Sequence, residues 1–231
     1  MSSTRLPGKA LLPVGARPLL GHVLDRARRI PGAKGLVLAT STDPADEPLV
    51  AFAQREGVTV FRGSLADVAR RAVDCAIANG WTAFARVCGD QAFLDPAAVG
   101  QAITRMLDDG TDSPDLVSNR LPGIVARGVA VEVVRTPALS RVLEESADPA
   151  DREHITRYMY AHPENFHLVG GGMFPPATEG VCFVVDTPRD LTRARHVAER
   201  LSHPATASVL EVAELVRAWD QAHPDGAEGG R

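Results

Sequence analysis

The chain has 231 residues, of which 45% are hydrophobic and 23% charged, a composition typical of one large folded α/β domain. Its formal net charge of −4 argues against binding to nucleic-acid polymers, which usually calls for a basic face. No run of about 18 apolar residues predicts a membrane span, and three scattered cysteines favour a reducing compartment, the cytoplasm.

The first feature along the chain is a short segment rich in hydroxyl groups and cations. Residues 2–9 read Ser-Ser-Thr-Arg-Leu-Pro-Gly-Lys. Its backbone N–H groups, together with Arg5 and Lys9, are suited to wrapping a polyphosphate. The segment is not a Walker A loop, because Ser3 and Ala10 replace the first glycine and the final Ser or Thr of that motif. On composition alone, a solvated basic terminus is the competing interpretation.

Short apolar runs bounded by Gly, Asp or Ser then alternate with amphipathic segments. The runs predict buried strands at residues 37–39, 58–61, 83–87, 116–118, 129–134 and 182–185. Helices are predicted to begin at Asp-Pro or Thr-Pro pairs at 43–44, 95–96 and 187–188, where an N-cap precedes a first-turn proline. A last amphipathic helix follows residue 204. This alternation predicts an α/β fold with a mostly parallel sheet, in which ligands bind at the carboxyl ends of strands.

A series of short motifs runs along the chain in a definite order. It consists of residues 2–9, Ala-Thr-Ser at 39–41, Val-Phe-Arg-Gly-Ser at 60–64 with Asp-Val at 67–68 and Arg70, Arg-Val-Cys-Gly-Asp at 86–90 with Leu-Asp-Pro at 94–96, Val-Glu-Val at 131–133, Arg-Glu-His-Ile-Thr at 152–156 and Val-Asp-Thr-Pro-Arg-Asp-Leu at 185–191. In this order the motifs resemble those of the cytidylyltransferase family of spore-coat polysaccharide biosynthesis enzymes and, more distantly, of CMP-ulosonate and CMP-KDO synthetases. The likeness covers roughly residues 1–201.

The resemblance implies a Rossmann-like sheet with flanking helices, of the nucleotide-diphospho-sugar transferase type. It also implies CTP as donor, Mg²⁺ as cofactor, and an acceptor oxygen that attacks the α-phosphorus. The implied catalytic residues are Arg5, Lys9, Asp90 and Asp186. The implied nucleotide-binding residues are Ser2, Ser3, Arg5, Gly8, Lys9, Thr40, Ser41, Arg62, Ser64, Arg70 and Asp90.

Asp90 and Asp186 are the implied metal ligands, and their positions suit that chemistry. Each follows an apolar run, so both side chains can reach one crevice from neighbouring strand ends. Mg²⁺ commonly takes one or two carboxylates together with phosphate oxygens and water. The competing interpretations are a turn aspartate after Gly89 for Asp90 and a helix-capping or turn aspartate for Asp186, although Thr187 already fits the cap position.

Acceptor contacts are implied at Glu132, Arg152, Glu153 and His154. For Glu132, which lies in an apolar run, an outward position on an edge strand is the alternative; for residues 152–154 it is a solvated helix start. The chain departs from the family at Ala130, where relatives commonly have Asp, at Arg157, where they have Pro, and at residues 91–93, Gln-Ala-Phe for their usual Cys-Pro-Leu. The first two departures indicate an unusual acceptor and leave the donor site alone.

We expect a nucleotidyltransferase domain over residues 1–203, and a C-terminal helix with a disordered tail over residues 204–231. Family members have a strand and a further arginine ahead of the motif in which Met1 stands, so the first strand of the sheet is expected to be missing. Either the coding sequence continues upstream, or another segment fills the place. Expected partners are CTP and a sugar-like small molecule, with no nucleic-acid polymer or membrane, and a homodimer is compatible with the sequence. Two alternatives stay open: a sugar-1-phosphate nucleotidyltransferase that uses dTTP, UTP or GTP, and a degenerate, non-catalytic nucleotide-binding homologue.

Overall fold

The computed structural model describes residues 5–108, 113–121, 126–170 and 178–224 as a mixed α/β fold. The strands are β1 (Pro13–Val14), β2 (Arg17–Pro18), β3 (Val37–Ser41), β4 (Thr59–Gly63), β5 (Ala83–Arg86), β6 (Leu116–Ser118), β7 (Glu132–Arg135) and β8 (Leu168–Gly170). The helices are α1 (Leu19–Ala27), α2 (Glu47–Arg55), α3 (Val68–Ala78), α4 (Pro96–Met106), α5 (Thr136–Glu145), α6 (Pro149–Glu153), α7 (Arg157–Ala161), α8 (Pro188–Arg200) and α9 (Val209–Ala222). Short 3-10 turns span Lys9–Leu11 and Pro44–Asp46.

The described strands form separate sheets. β3 and β4 are a parallel pair, and β5, β7, β6 and β8 form a four-stranded sheet in that order. β6 and β8 are parallel, whereas β7 runs antiparallel to both of its neighbours. The predicted α/β fold with parallel sheet elements and flanking helices is confirmed, with β7 as an antiparallel strand inside the larger sheet.

The helix starts that the sequence predicts are confirmed. Asp43 caps the 3-10 turn before α2 by accepting a hydrogen bond from the backbone N–H of Ala45. Asp95 caps α4 in the same way. Thr187 caps α8 in a capping box with Asp190, in which each side chain accepts a hydrogen bond from the other residue's backbone N–H. These caps fix where each helix begins after the preceding apolar segment.

The prediction of a strand over residues 182–185 is wrong within the described part of the chain. This segment forms one isolated β-bridge to Arg127, whose carbonyl accepts a hydrogen bond from the Phe183 N–H at 2.7 Å. At Gly128 the φ angle is +90°, and a Cβ would lie 2.7 Å from the Phe183 carbonyl carbon. The apolar run is therefore buried by close packing of two backbones, without a regular ladder.

Three apolar clusters form the core. The first packs the segment around Phe183 against α8 and α9, the second lies beneath α1 and α4, and the third lies between α3, α5 and the four-stranded sheet. The predicted last helix is confirmed as α9, capped by Ser208, whereas residues 225–231 of the predicted tail lie outside the described residues. No helix among the described residues is long and apolar enough to cross a membrane.

Candidate active site

The centre of the candidate site is the ammonium group of Lys9, which lies between two carboxylates. Lys9 Nζ is 2.7 Å from Asp186 Oδ1 and 2.8 Å from Asp90 Oδ2. Gly8, with φ at +68°, precedes the 3-10 turn that begins at Lys9 and supplies a backbone conformation that other residues rarely adopt. Asp90 lies in the turn that follows β5. The turn at Lys9–Leu11 therefore contacts the loop that follows β5 at the end of the four-stranded sheet.

Asp186 is free to serve the site because its neighbours take the capping roles. Thr187 caps α8, and Asp190 accepts hydrogen bonds from the backbone N–H groups of Asp186 and Thr187. The helix-cap interpretation of Asp186 is therefore wrong. Its carboxylate instead contacts cations. Asp90 follows β5, whereas Asp186 follows a segment that forms no regular strand, and both carboxylates reach Lys9 Nζ.

Arginines add further positive charge to this cluster. Arg5 Nη2 lies 2.9 Å from Asp186 Oδ2, and Arg127 Nη2 lies 3.7 Å from the same oxygen. Burial opposes the charged forms of both Lys9 and Asp186. Even so, their mutual hydrogen bond, with Asp90 also acting on Lys9, raises the pKa of Lys9 and lowers that of Asp186. Because Arg5 and Arg127 are more than half exposed, both can turn toward an anionic ligand.

The donor set suits a hard divalent cation completed by a ligand. Among the described residues, no group of three or more His, Cys, Asp or Glu side chains could hold a metal ion. Asp90 and Asp186, however, converge on a single ammonium group, at 2.8 and 2.7 Å. Such a pair meets the requirement of Mg²⁺, which usually adds phosphate oxygens and water to one or two carboxylates.

A second cluster of polar side chains surrounds Glu132, a residue that is only 3% exposed. β7 lies between β5 and β6, so the interpretation of Glu132 as an outward residue on an edge strand is wrong. Its carboxylate accepts hydrogen bonds from Arg86 at 2.9 Å, Thr156 at 2.8 Å and Tyr160 at 3.0 Å. The Tyr160 hydroxyl oxygen also lies 2.6 Å from Ser118 Oγ, and because its one proton goes to Glu132, the Ser118 hydroxyl is the donor of this second hydrogen bond. The Glu132 carboxylate is thus held by three side-chain hydrogen bonds inside the sheet.

Arg86 connects the two clusters. Its cross-strand partner in the ladder is Glu132. Burial opposes the charged form of Arg86, but the ionisable groups of Cys88, Glu132 and Asp90 raise its pKa. Arg86 therefore forms an ion pair with Glu132 and is influenced by the charge of Asp90, so the two clusters interact electrostatically.

The polar residues predicted at the ends of β3 and β4 hold one another in place. The hydroxyl groups of Thr40 and Ser41 donate to Asp46 Oδ2 at 2.7 and 2.6 Å. Arg62 donates to the carbonyls of Ser41 and Asp43, at 3.0 and 3.2 Å, and is paired with Glu47. The Thr40 and Ser41 side chains are thereby occupied, and nucleotide binding by this group of residues stays a prediction.

The remaining predicted residues lie on α3 and α6 or near them. Ser64 Oγ accepts a hydrogen bond from the Asp67 N–H, and Arg70 is paired with Asp74 on the helix surface. Arg152 donates to Asp67 and to the carbonyls of Leu143 and Ser146. Glu153 and His154 are exposed, and Ser2 and Ser3 lie outside the described residues. None of these positions is joined to the Lys9 cluster by a contact among the described residues.

Reasoning from the sequence alone missed several residues of the site. Arg86 carried a usable signal, because a cation and a carboxylate in two apolar runs each need a partner when buried. The Gln91 side chain links two loops by hydrogen bonds. Its Oε1 accepts from the Cys88 N–H at 2.8 Å, and its Nε2 donates to the Ala130 carbonyl at 3.1 Å. Arg127 and Gln91 carry no local pattern that marks them.

Comparison with known proteins places the chain in a family. Residues 1–214 match the model of a protein family described as Cytidylyltransferase. The chain is also similar to the spore coat polysaccharide biosynthesis protein SpsF of Bacillus subtilis. The two are 34% identical over 175 residues, which cover 73% of this chain and 70% of that protein.

Solved structures show the same fold. A cytidylyltransferase from Leptospira borgpetersenii superposes with a TM-score of 0.83 at 24% identity, covering 97% of this chain and 91% of that one. CMP:2-keto-3-deoxy-manno-octonic acid synthetase, solved in complex with CTP, superposes with a TM-score of 0.63 at 17% identity, covering 86% of this chain and 95% of that one. At these identities the likeness concerns the fold alone.

Proposed function

The chain belongs to the cytidylyltransferase family, and from that premise we propose that it transfers CMP from CTP to a sugar or sugar-phosphate-like acceptor, releasing pyrophosphate. The observation that carries this proposal is the cluster of Lys9, Arg5, Asp90 and Asp186. In this cluster a nitrogen of each cation lies within 2.9 Å of a carboxylate oxygen. Transfer of a nucleotidyl group depends on charge neutralisation and in-line positioning more than on covalent help from the protein. The cations of this cluster are suited to the first of these, neutralisation of phosphate charge.

In the proposed reaction, an acceptor oxygen attacks the α-phosphorus of CTP. A new oxygen–phosphorus bond forms, the bond to the β-phosphate bridging oxygen breaks, and pyrophosphate leaves with that electron pair. The acceptor hydroxyl loses its proton to the surrounding water or to a nearby carboxylate. Arg5 and Lys9 would hold the triphosphate, since both cations lie at one edge of the site and Arg5 is mostly exposed.

Asp90 and Asp186 would bind Mg²⁺ when the nucleotide is present. A divalent cation there supplies charge neutralisation for the phosphate oxygens. In the free protein Lys9 pairs with the two carboxylates. The triphosphate would draw this ammonium group toward itself, leaving both carboxylates open to the cation.

We further propose that the acceptor binds near Glu132, Arg86 and Tyr160, with Arg152, Glu153 and His154 at a greater distance. Tyr160 and Glu132 are held by hydrogen bonds at 3.0 Å, and the partly exposed Arg120 stacks over the Tyr160 ring at 5.1 Å. Hydroxyl and guanidinium groups of this kind suit a polyhydroxylated or acidic acceptor.

The test is a pyrophosphate-release assay with CTP, UTP, dTTP and GTP, each with Mg²⁺ and a panel of sugar phosphates and ulosonic acids. We expect release that depends on both CTP and an acceptor, together with a CMP-linked product seen by mass spectrometry. Faster release with another nucleotide would assign a different donor. Nucleotide binding without release under any combination would identify a non-catalytic homologue.

A further inference from the structure

The side chain of Gln91 lies between two strands at the point where they separate. The ladder between β5 and β7 ends with the pair Arg86 and Glu132. Continued in the same register by two residues, it would place Cys88 opposite Ala130. The Gln91 carboxamide stands between these two backbones: its Oε1 accepts from the Cys88 N–H at 2.8 Å, and its Nε2 donates to the Ala130 carbonyl at 3.1 Å. We call this group the inserted amide.

The two backbone groups that the inserted amide joins are those that a regular ladder would join directly. In the same register, the Thr136 N–H donates to the Thr82 carbonyl at 2.8 Å, and hydrogen-bonded pairs recur at every second residue of an antiparallel ladder. Cys88 and Ala130 therefore occupy a hydrogen-bonded position, at which the Cys88 N–H would meet the Ala130 carbonyl. With the amide between them, these groups stand farther apart than the length of one hydrogen bond, about 2.9 Å.

The orientation of the inserted amide follows from its partners. A backbone N–H only donates and a carbonyl only accepts, so Oε1 faces Cys88 and Nε2 faces Ala130. Gln91 is only 6% exposed, and a buried backbone group that loses its hydrogen bond is destabilising. The side chain therefore takes the place of one hydrogen bond of the ladder and lengthens the link between the two strands.

On its other side, the start of β7 is fixed directly to the end of β6. The Asn119 N–H donates to the Val131 carbonyl at 3.3 Å. The Asn119 side chain also accepts from the Val131 N–H at 2.9 Å and donates to the Val129 carbonyl at 3.1 Å. Ala130 lies between these two residues, so its carbonyl is a fixed point. The length of the inserted amide then sets how far the β5 side stands from it.

The β5 side of the inserted amide is the turn that carries Asp90. Gln91 closes this turn a second time, since its backbone N–H donates to the Cys88 carbonyl at 3.1 Å. Asp90 lies inside the turn, with its carboxylate 2.8 Å from Lys9 Nζ. The first residue of β7 is Glu132, two positions after the fixed carbonyl. The inserted amide therefore joins the segment that carries Asp90 to the segment that leads into Glu132.

We propose that Gln91 is a positioning residue for the transfer reaction, an inference that rests on the proposed function. The inserted amide sets the separation between Asp90, on the nucleotide side, and β7, on the acceptor side. Attack on the α-phosphorus needs the acceptor oxygen at about 3–3.5 Å, and a displacement of about 1 Å can reduce the rate by a factor of about 100. Gln91 acts on this distance through the Asp90 turn and contacts neither substrate.

Three substitutions separate the length of the side chain from its hydrogen bonds. Gln91→Met keeps the length and removes both hydrogen bonds. Gln91→Glu keeps the acceptor for Cys88 but sets a carboxylate oxygen against the Ala130 carbonyl. Gln91→Asn keeps both groups on a side chain one carbon shorter, and it replaces Gln91→Met should that variant fail to fold.

The measurement is the division of the effect between kcat and KM. Each of the three variants should lower kcat for pyrophosphate release by at least about tenfold, with KM for CTP and for the acceptor changed by less than about threefold, because each substrate keeps its own contacts. Gln101→Met, the same substitution at an exposed position of α4, should change neither constant. Tm of each variant without substrate gives the folded fraction against which kcat is corrected.

A double-mutant cycle tests whether Gln91 acts through Asp90. Once Asp90→Asn has removed the carboxylate, adding Gln91→Met should lower kcat further by less than about threefold, whereas independent effects would multiply. Multiplied effects would show that Gln91 does not act through Asp90.

Hydrogen exchange tests the inserted amide without any substrate. The Cys88 amide should exchange on the order of tenfold faster in Gln91→Met, which lacks its acceptor, and at close to the original rate in Gln91→Glu, which keeps it. Amides of Leu116–Ser118, in a strand paired on both sides, are the internal reference. An unchanged Cys88 rate in Gln91→Met would show that Gln91 does not hold the Asp90 turn.

The positioning role also fails if the Gln91 variants keep kcat, or if kcat falls only with the folded fraction, and the proposed transfer would then still stand. A rise in KM at constant kcat would instead make Gln91 a residue of substrate binding and overturn the proposal. Absence of pyrophosphate release from the unchanged protein would remove the proposed function, whereas exchange at Cys88 would still decide whether Gln91 holds the turn.

Discussion

The ammonium group of Lys9 lies 2.7 Å from the carboxylate of Asp186, a residue 177 positions further along the chain. The same ammonium group lies 2.8 Å from Asp90, so one cation balances two carboxylates that would otherwise repel each other. In this arrangement the protein carries its own counter-charge before any ligand binds. Removing any one of these three charged groups should therefore affect ligand binding or turnover.

Asp90→Asn and Asp186→Asn should each reduce kcat for pyrophosphate release by a factor on the order of 100 or more. Each change keeps the shape of the side chain but removes charge that the proposed cation needs. Tm without metal should stay close to that of the unchanged protein. Asp108→Asn, at an exposed position after α4, is the matched control. Near-normal turnover at saturating Mg²⁺ would show that the altered aspartate is not a metal ligand.

Lys9→Ala should weaken CTP binding much more than CMP binding, because CMP lacks the β- and γ-phosphates that Lys9 is proposed to contact. Titration calorimetry with both nucleotides measures the difference directly. Lys9→Arg should be milder than Lys9→Ala, since it keeps the positive charge. Equal losses for the two nucleotides would place Lys9 away from the triphosphate.

Glu132→Ala should lower the free energy of unfolding by about 3 kcal/mol, because it leaves the Arg86 guanidinium without its carboxylate partner inside the sheet. Urea denaturation measures this loss. Replacing both partners, as in Arg86→Met with Glu132→Leu, should recover part of it, since an apolar pair carries no unpaired charge. Glu144→Ala, exposed on α5, is the control and should change little.

Local signals predicted the parts of this molecule that depend on neighbouring residues. The caps at Asp43, Asp95 and Thr187 were readable because each helix start needs an acceptor for its first N–H groups. The convergence of Asp90 and Asp186 was readable from their positions after apolar runs. The resemblance implies that Lys9 contacts the triphosphate. Its hydrogen bonds to both Asp90 and Asp186 join residues far apart in the chain, and no local sequence pattern predicts them.

Features set by distant contacts were not readable. The segment at residues 182–185 has the composition of a strand but packs against Gly128 without forming a ladder. The burial of Glu132 follows from β7 lying between β5 and β6, an order that periodicity does not encode. The hydrogen bonds from the Thr40 and Ser41 hydroxyl groups to Asp46 were likewise not predicted, and nucleotide binding by these two residues stays a prediction.

Ala130→Asp should change the acceptor preference while leaving CTP affinity unaltered. The Ala130 carbonyl accepts a hydrogen bond from Gln91, so the backbone at this position is fixed next to the start of β7. A carboxylate added there would lie near Glu132 and repel acidic acceptors. Relative kcat/KM values over an acceptor panel measure the effect. An unchanged acceptor profile would show that position 130 does not face the acceptor.

His22 in α1 should make the free energy of unfolding depend on pH. This residue is 5% exposed, and its Nε2 lies 2.7 Å from the Val14 carbonyl. Burial lowers the pKa of His22 below its usual value of 6.5, although the hydrogen bond to Val14 acts in the opposite direction. The unfolded chain therefore binds a proton more readily than the native protein does.

Because the pKa of His22 is lowered in the native protein, His22 should not affect the free energy of unfolding above about pH 7. Below about pH 6.5 that free energy should fall as the pH drops, with a slope of at most about 1.4 kcal/mol per pH unit. Urea denaturation between pH 7.5 and 5 measures that slope, with pH values chosen from the usual histidine range. His22→Gln should flatten it, whereas His203→Gln, at an exposed position, should leave it unchanged. Burial also lowers the pKa of His196, so His196→Gln measures separately how much that residue contributes to the slope. If His22→Gln left the slope intact, the buried imidazole would not be the group that takes up the proton on unfolding.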